Sequence, residues 1–229
     1  MVCRYTKSLD GLEMGRLMVY KKMLITFEGG EGSGKSTQIK LFAESLRRIG
    51  YDVVETRDPG GTAIGDEIRR ILLDTTNGLM SEITEMMLYN ASRAQVIDEV
   101  ILPNLLARKI VLCDRFYDST YAYQGYGRGI DMDMLRTITG LATNGLSPHL
   151  TFLLDIPVET GIARRKKSKE INRMDLQTEA FHQRVRSGYY KLAKQEPKRW
   201  VIVDADQSIE AVHNELMMQW KERKMRVLS

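Results

Sequence analysis

The segment Gly29, Gly30, Glu31, Gly32, Ser33, Gly34, Lys35, Ser36 fits the phosphate-loop pattern G-x-x-x-x-G-K-S/T at every fixed position. Glycines there let backbone N–H groups close around a β-phosphate, and the start of the helix that follows, with Thr37 beside the loop, favours the negative charge. Lys35 reaches the β and γ oxygens, and the Ser36 hydroxyl suits Mg²⁺. This chemistry predicts a nucleoside triphosphate as ligand. Asp114 closes the apolar run KIVLCD, where a carboxylate faces the loop at the carboxyl edge of a sheet and is a candidate Mg²⁺ partner. Beside it, the planar cation of Arg115 suits a phosphate clamp. Thr120 and Gln124 fall one helical turn apart and could read the edge of a base; Tyr89 and Arg93, at the same spacing, pair an aromatic plane with a cation. Alone, each pair reads better as an ordinary helix surface.

These groups need a frame to hold them. Residues 23–27, 52–56, 109–113, 150–154 and 200–203 are short, apolar or β-branched runs that predict five buried strands. Helical patterns lie between them: Ile39, Phe42, Ala43, Leu46 and Ile49 before the stop at Gly50, and Ile209, Val212, Leu216 and Trp220 after Ser208. Ser81 caps a long helix with Ile83, Met87, Ala94 and Ile97 on its expected apolar side and a kink expected at Pro103. Alternating strands and helices predict an α/β chain with a parallel sheet covered on both faces.

Composition narrows the class. Apolar residues make up 43% and charged residues 28%, which excludes a disordered or fibrous chain, and no run approaches the roughly 18 apolar residues of a membrane span. Cys3 and Cys113, with His149, His182 and His213 far apart, fit neither a disulfide framework nor a zinc site and suit a reducing, cytoplasmic setting. The formal charge of +4 sits mostly in residues 1–22, where Arg4, Lys7, Arg16, Lys21 and Lys22 face only Asp10 and Glu13. That stretch reads as a disordered extension ahead of a single domain at 23–225. A body so nearly neutral argues against a nucleic-acid-dependent ATPase. Residues 164–173 hold six basic groups in ten and, alone, read as a solvated face.

The motifs ITFEGGEGSGKST (25–37), TRDPGG (56–61) with Ile68 and Arg69, YNASRAQ (89–95), CDRFYDSTYAYQG (113–125), NGLSP (144–148) and FHQRVRSGY (181–189) occur in an order that resembles the thymidylate kinase family in its bacterial form. The resemblance runs from Met23 to about Trp220. It implies a P-loop nucleoside-monophosphate kinase fold, a five-stranded parallel sheet with a small lid at about 164–175, and transfer of the γ-phosphoryl of ATP to dTMP with Mg²⁺. By that resemblance Tyr89 stacks on thymine, Arg93 and Gln124 read its edge with Thr120, and Tyr123 crowds the 2′ position of the sugar. Arg69 and Arg115 hold the acceptor phosphate, while Glu31 and Asp58 lie near the sugar and metal. Lys35 and the lid arginines Arg164 and Arg165 serve the transferring group, residues 204–208 accept adenine, and the molecule is a homodimer whose ligands are the small molecules ATP and dTMP, with no nucleic-acid or membrane partner. Departures are Asp58 for Glu, Tyr89 for Phe, Thr120 for Ser and Asn172 for Asp; none removes a required group from the acceptor site.

Two other readings are distinguishable. A GTP-dependent switch would use Asp58-Pro-Gly-Gly61 and Asn172-Arg-Met-Asp175, but the latter follows a charged run and not a buried strand. A kinase for another deoxynucleoside or its monophosphate would lack the Arg93 and Gln124 pairing.

Overall fold

The computed structural model describes residues 23–167 and 171–228. The 1–22 extension and residues 168–170 of the expected lid lie outside the described residues. Five strands, β1 (Met23–Glu28), β2 (Val53–Arg57), β3 (Ile110–Asp114), β4 (Leu150–Asp155) and β5 (Trp200–Asp204), form a parallel sheet in the order β2-β3-β1-β4-β5. Each lies within a residue or two of the span its apolar run predicts. Register pairs Phe27 with Asp114 and with Phe152, so the carboxyl ends of β1, β3 and β4 finish together. The chain leaves the central β1 toward β2 and later crosses to β4, which opens a crevice above β1.

Side-chain parity in β1 builds both faces. Ile25 and Phe27 pack with Phe42 and Phe152, whose ring centroids lie 5.4 to 5.6 Å apart in tilted and edge-on pairs. This layer is covered by α1 (Lys35–Arg48) and α9 (Ile209–Leu228), which contributes Val212, Leu216 and Trp220. Leu24 points the other way, into a cluster with Val96, Ile101, Val111 and Phe116. Ile49 and Ile209, expected in the apolar stripes, are exposed at the ends of their helices.

The remaining helices are α2 (Ala63–Leu73), α3 (Glu82–Val96), α4 (Leu102–Leu106), α5 (Tyr117–Thr120), α6 (Met132–Thr143), α7 (Val158–Lys166) and α8 (Glu179–Gln195). Ser81 caps α3 by accepting the Thr84 N–H, as expected. One expectation about this helix is corrected. Its buried side is not the Ile83 and Met87 stripe, which is about half exposed, but Glu85, Met86, Asn90, Ser92, Arg93 and Val96. Polar groups go inward here because they bond one another around a cavity. The irregularity expected at Pro103 takes the form of a π-helical turn at Ile97–Ile101, which runs directly into α4 in the turn before the proline, where its missing N–H and its ring disturb the i−4 bond. Among the described residues, no helix is long and apolar enough to cross a membrane.

Candidate active site

The loop between β1 and α1 is shaped by positive φ at Gly29, Gly32 and Gly34. A Cβ on Gly32 would stand 2.4 Å from the Gly161 carbonyl oxygen, so the loop can lie against α7 only as glycine. Lys35 Nζ, nearly buried, donates to the carbonyls of Gly29 at 3.1 Å and Gly30 at 2.9 Å and to Ser33 Oγ at 3.2 Å. Burial and the neighbouring Arg115 charge lower its pKa to about 8. Ser36 Oγ donates to Asp114 Oδ2 at 2.8 Å, which brings both expected metal residues together. Gly32, Ser33, Gly34, Lys35, Ser36 and Thr37 line one cleft with Asp114, Arg164 and Arg165. Gly29 and Gly30 stay out of its wall: a Cβ on Gly29 would collide with the Leu154 carbonyl oxygen, and both glycines turn their own carbonyls to Lys35.

A second cavity adjoins the cleft. All eight residues expected to hold the acceptor, Asp58, Arg69, Tyr89, Arg93, Arg115, Thr120, Tyr123 and Gln124, line it. Glu31, Asp58, Arg69, Arg115 and Asn172 line both spaces and form the junction. Arg115 is held there with φ of +67°, a sparsely populated backbone state for a non-glycine residue. Its guanidinium donates to Gly29 O, Ser119 Oγ, Tyr189 Oη and Glu31 Oε1 and lies 5.0 Å over the Tyr123 ring. Beneath, buried Glu28 accepts from Phe116 N, Ser119 Oγ and Tyr189 Oη; burial and the Asp118 charge raise its pKa to about 7. Glu31 accepts from Tyr123 Oη at 3.1 Å. Burial works to raise its pKa, but the charges of Arg115 and Lys35 outweigh that and hold it at about 2.

Arg93 is more embedded than its spacing suggests. It donates from Nε to Asp58 at 2.6 Å, from Nη1 to Asn90 at 3.0 Å and from Nη2 to Thr120 at 2.8 Å, which leaves two of a guanidinium's five N–H groups for a ligand. Thr120 and Gln124 do not share one turn of α-helix, because α5 passes into a π-helical stretch at Tyr121–Gly127. Both still line the cavity. Spacing alone does not reveal Glu85 and Arg128, which cluster behind the wall with Arg173, an arginine read from the sequence as part of the lid run. Glu85 does stand on the stripe of Tyr89 and Arg93, so a third member of that spacing was visible; its partners, distant in sequence, were not.

In the basic run, Arg164 donates to Ala205 O at 3.1 Å and Asp206 Oδ1 at 2.9 Å, and Arg165 Nε donates to Asp175 Oδ1 at 2.8 Å. Arg173 is buried and not part of the cleft wall. The Asn172 and Asp175 pair closes its own turn, with Asn172 Oδ1 accepting from Met174 N and Asp175 Oδ2 accepting from Asn172 N. This removes the local basis for a guanine-reading motif.

The thymidylate kinase family model matches residues 27–216. A thymidylate kinase from an Exiguobacterium strain is 50% identical over 195 residues, covering 85% of this chain and 92% of that protein. One from Roseiflexus castenholzii is also 50% identical, covering 85% and 90%. The crystal structure of thymidylate kinase from Ehrlichia chaffeensis superposes with a TM-score of 0.73 at 35% identity, over 88% of this chain and 99% of that one. With a phosphate loop, an adjoining polar cavity and these likenesses over most of its length, the chain belongs to the thymidylate kinase family.

Proposed function

We propose that the chain transfers the γ-phosphoryl group of ATP to dTMP, giving ADP and dTDP. The observation that carries this reading is the junction: two cavities, one walled by the phosphate loop and one by base-reading side chains, meet at Glu31, Asp58, Arg69 and Arg115. Donor and acceptor phosphates in these spaces would face each other across two arginines.

Phosphoryl transfer asks a protein mainly for position and charge. The loop N–H groups and Lys35 take the β and γ oxygens, and Arg69 and Arg115 take the acceptor phosphate. Tyr89 stacks on thymine. The two remaining Arg93 N–H groups face a ring carbonyl, Thr120 backs Arg93, and Tyr123 fills the space beside the sugar. A phosphate monoester is largely dianionic at neutral pH, so the nucleophilic oxygen needs no strong base. Glu31, with a pKa of about 2, suits that demand: it stays ionised and accepts hydrogen bonds from Tyr123 and Arg115. Ser36 Oγ and the Asp114 carboxylate are hard oxygen donors 2.8 Å apart and fit Mg²⁺, directly or through its waters. Held there by Ser36 and Asp114, the ion would supply positive charge to offset the negative charge developing on the transferring group.

We read 23–225 as one kinase domain in which 164–175 closes over ATP and brings Arg164 and Arg165 to the transferring group, with 204–208 against adenine. Exposed Ile64 and Ile71 on α2 and Ile83 and Met87 on α3, adjacent helices, suit a homodimer interface. The setting is the cytoplasm. A coupled ADP-release assay with ATP and Mg²⁺ against dTMP, dUMP, dCMP, dGMP and UMP tests the function. Selective turnover of dTMP is expected; preference for another acceptor would point to a different monophosphate kinase.

A further inference from the structure

Glu85 is 1% exposed, lies behind the acceptor cavity and has no part in the phosphoryl transfer described above. Its Oε1 accepts from Gln124 Nε2 at 2.7 Å and from Arg128 Nε at 3.3 Å. Its Oε2 accepts from Arg128 Nη2 at 3.1 Å and pairs with Arg173 Nη1 at 2.5 Å. Both arginines are themselves fixed. Arg128 donates to Gln177 Oε1 at 2.8 Å and lies 5.0 Å over the Phe181 ring, and Arg173 Nε donates to Leu72 O at 3.0 Å. Burial pushes the Glu85 carboxyl up, but the bonds from Arg128 and Gln124 and the charges of both arginines outweigh it and hold the group below its ordinary value. Glu85 is therefore ionised at neutral pH.

An ionised carboxylate can only accept, whereas a glutamine amide offers an oxygen on one side and a nitrogen on the other. The atom of Gln124 against Glu85 must then be its nitrogen. We propose that Glu85 is a positioning residue that sets base choice at the acceptor site: it fixes the Gln124 amide so that Oε1 is the atom left for the base. The site thereby takes a ring N–H, as thymine and uracil carry at N3, and turns away cytosine, whose N3 is a lone pair. This rests on the base-reading role proposed for Gln124. A glutamine free to rotate would serve either pattern, so the part of the discrimination made at N3, beside the part Arg93 makes at the ring carbonyl, resides in the carboxylate behind Gln124.

The test is kcat/KM for dTMP and for 5-methyl-dCMP, which keeps the methyl group and changes only the ring edge, in the parent, Glu85→Gln, Gln124→Leu and the double variant. Glu85→Gln should lower the dTMP to 5-methyl-dCMP preference at least about tenfold while KM for ATP changes little. In the Gln124→Leu background the same substitution should leave the preference where Gln124→Leu alone puts it. A loss shared equally by both acceptors, or full additivity with Gln124→Leu, would show a merely structural glutamate and overturn the proposal alone. An unchanged preference in Gln124→Leu would instead overturn the base-reading role, and the proposal with it. Should Glu85→Gln fail to fold, Glu85→Asp decides: withdrawing the carboxylate by one methylene should lower the preference when Gln124 is present and not in the Gln124→Leu background, and an equal effect in both would contradict the clamp.

Discussion

Lys35 carries a cost that its function explains. Its ammonium is buried beside Arg115, and its pKa of about 8 means that folding bears the full burden below that pH. The burden is relieved as pH rises from about 8 toward the unfolded lysine value near 10.4. ATP phosphates would favour the charged form and raise the pKa again. Calorimetry in two buffers of different ionisation enthalpy should therefore find proton uptake on ATP binding at pH 9, with little from this residue at pH 7. Lys35→Ala should abolish that uptake and lower kcat at least about 10²-fold without lowering Tm. Unchanged uptake in the variant would assign the proton to another group. Arg93 behaves differently, because its removal strands Asp58, a buried carboxylate whose Oδ1 has no hydrogen-bond partner among the described residues. Arg93→Ala should cost roughly 3 to 5 kcal/mol of stability as well as dTMP affinity, read as a fall in Tm alongside a raised KM. A variant with normal Tm would contradict the pairing. For Tyr123, the ring and the hydroxyl separate: Tyr123→Phe should keep the preference for deoxyribose, and Tyr123→Ala should relax it toward the ribose counterpart of dTMP. Equal preference in both variants would remove the steric role. Lys35, Ser36 and Arg115 were legible in the sequence because each sits at a fixed offset from a turn or strand end. Arg128 meets Glu85 across 43 residues, and no local pattern announces such a pair.

At the scale of elements, Arg164 and Arg165 have to exchange partners if they are to act on the transferring group. The pair of Arg164 with Asp206 is about 40% exposed on both sides, and Arg165 with Asp175 lies partly open at the cleft. The exposed Arg164 pair contributes of order 0 to 1 kcal/mol, so giving it up for phosphate oxygens is inexpensive, whereas the Arg165 pair, whose Asp175 side chain is nearly buried, costs more to open. Replacing Arg164 and Arg165 together by alanine should lower kcat at least about 10²-fold with a much smaller change in dTMP affinity. If kcat stays within a few-fold of the parent, the stabilising cation is Arg115 or comes from elsewhere. The strands were legible because each is a short apolar run between charged or turn residues. The inner side of α3 was not, since its buried face is polar and periodicity weighs only apolar residues; the π-helical turns at Ile97–Ile101 and Tyr121–Gly127 likewise have no spacing signature.

The whole molecule places one sheet edge under two adjoining cavities, with the helices on either side of the crevice supplying their walls. Parallel order in the sheet followed from the alternation of strands and helices, but the order of strands and the meeting of the two cavities required long-range register, such as Phe27 between Asp114 and Phe152. Exposed apolar residues on α2 and α3 bear on assembly: Met87→Asp should shift the sedimentation coefficient to that of a monomer if this layer is the dimer interface, and an unchanged value would exclude it. The central claim is that the γ-phosphoryl passes directly between the cavities. Following ATP, Mg²⁺ and dTMP with the purified chain by ³¹P NMR tests it most directly. The account predicts that ADP and dTDP appear in equal amounts, with inorganic phosphate absent until the acceptor is exhausted; ADP accompanied by inorganic phosphate, with dTMP unconsumed, would contradict it.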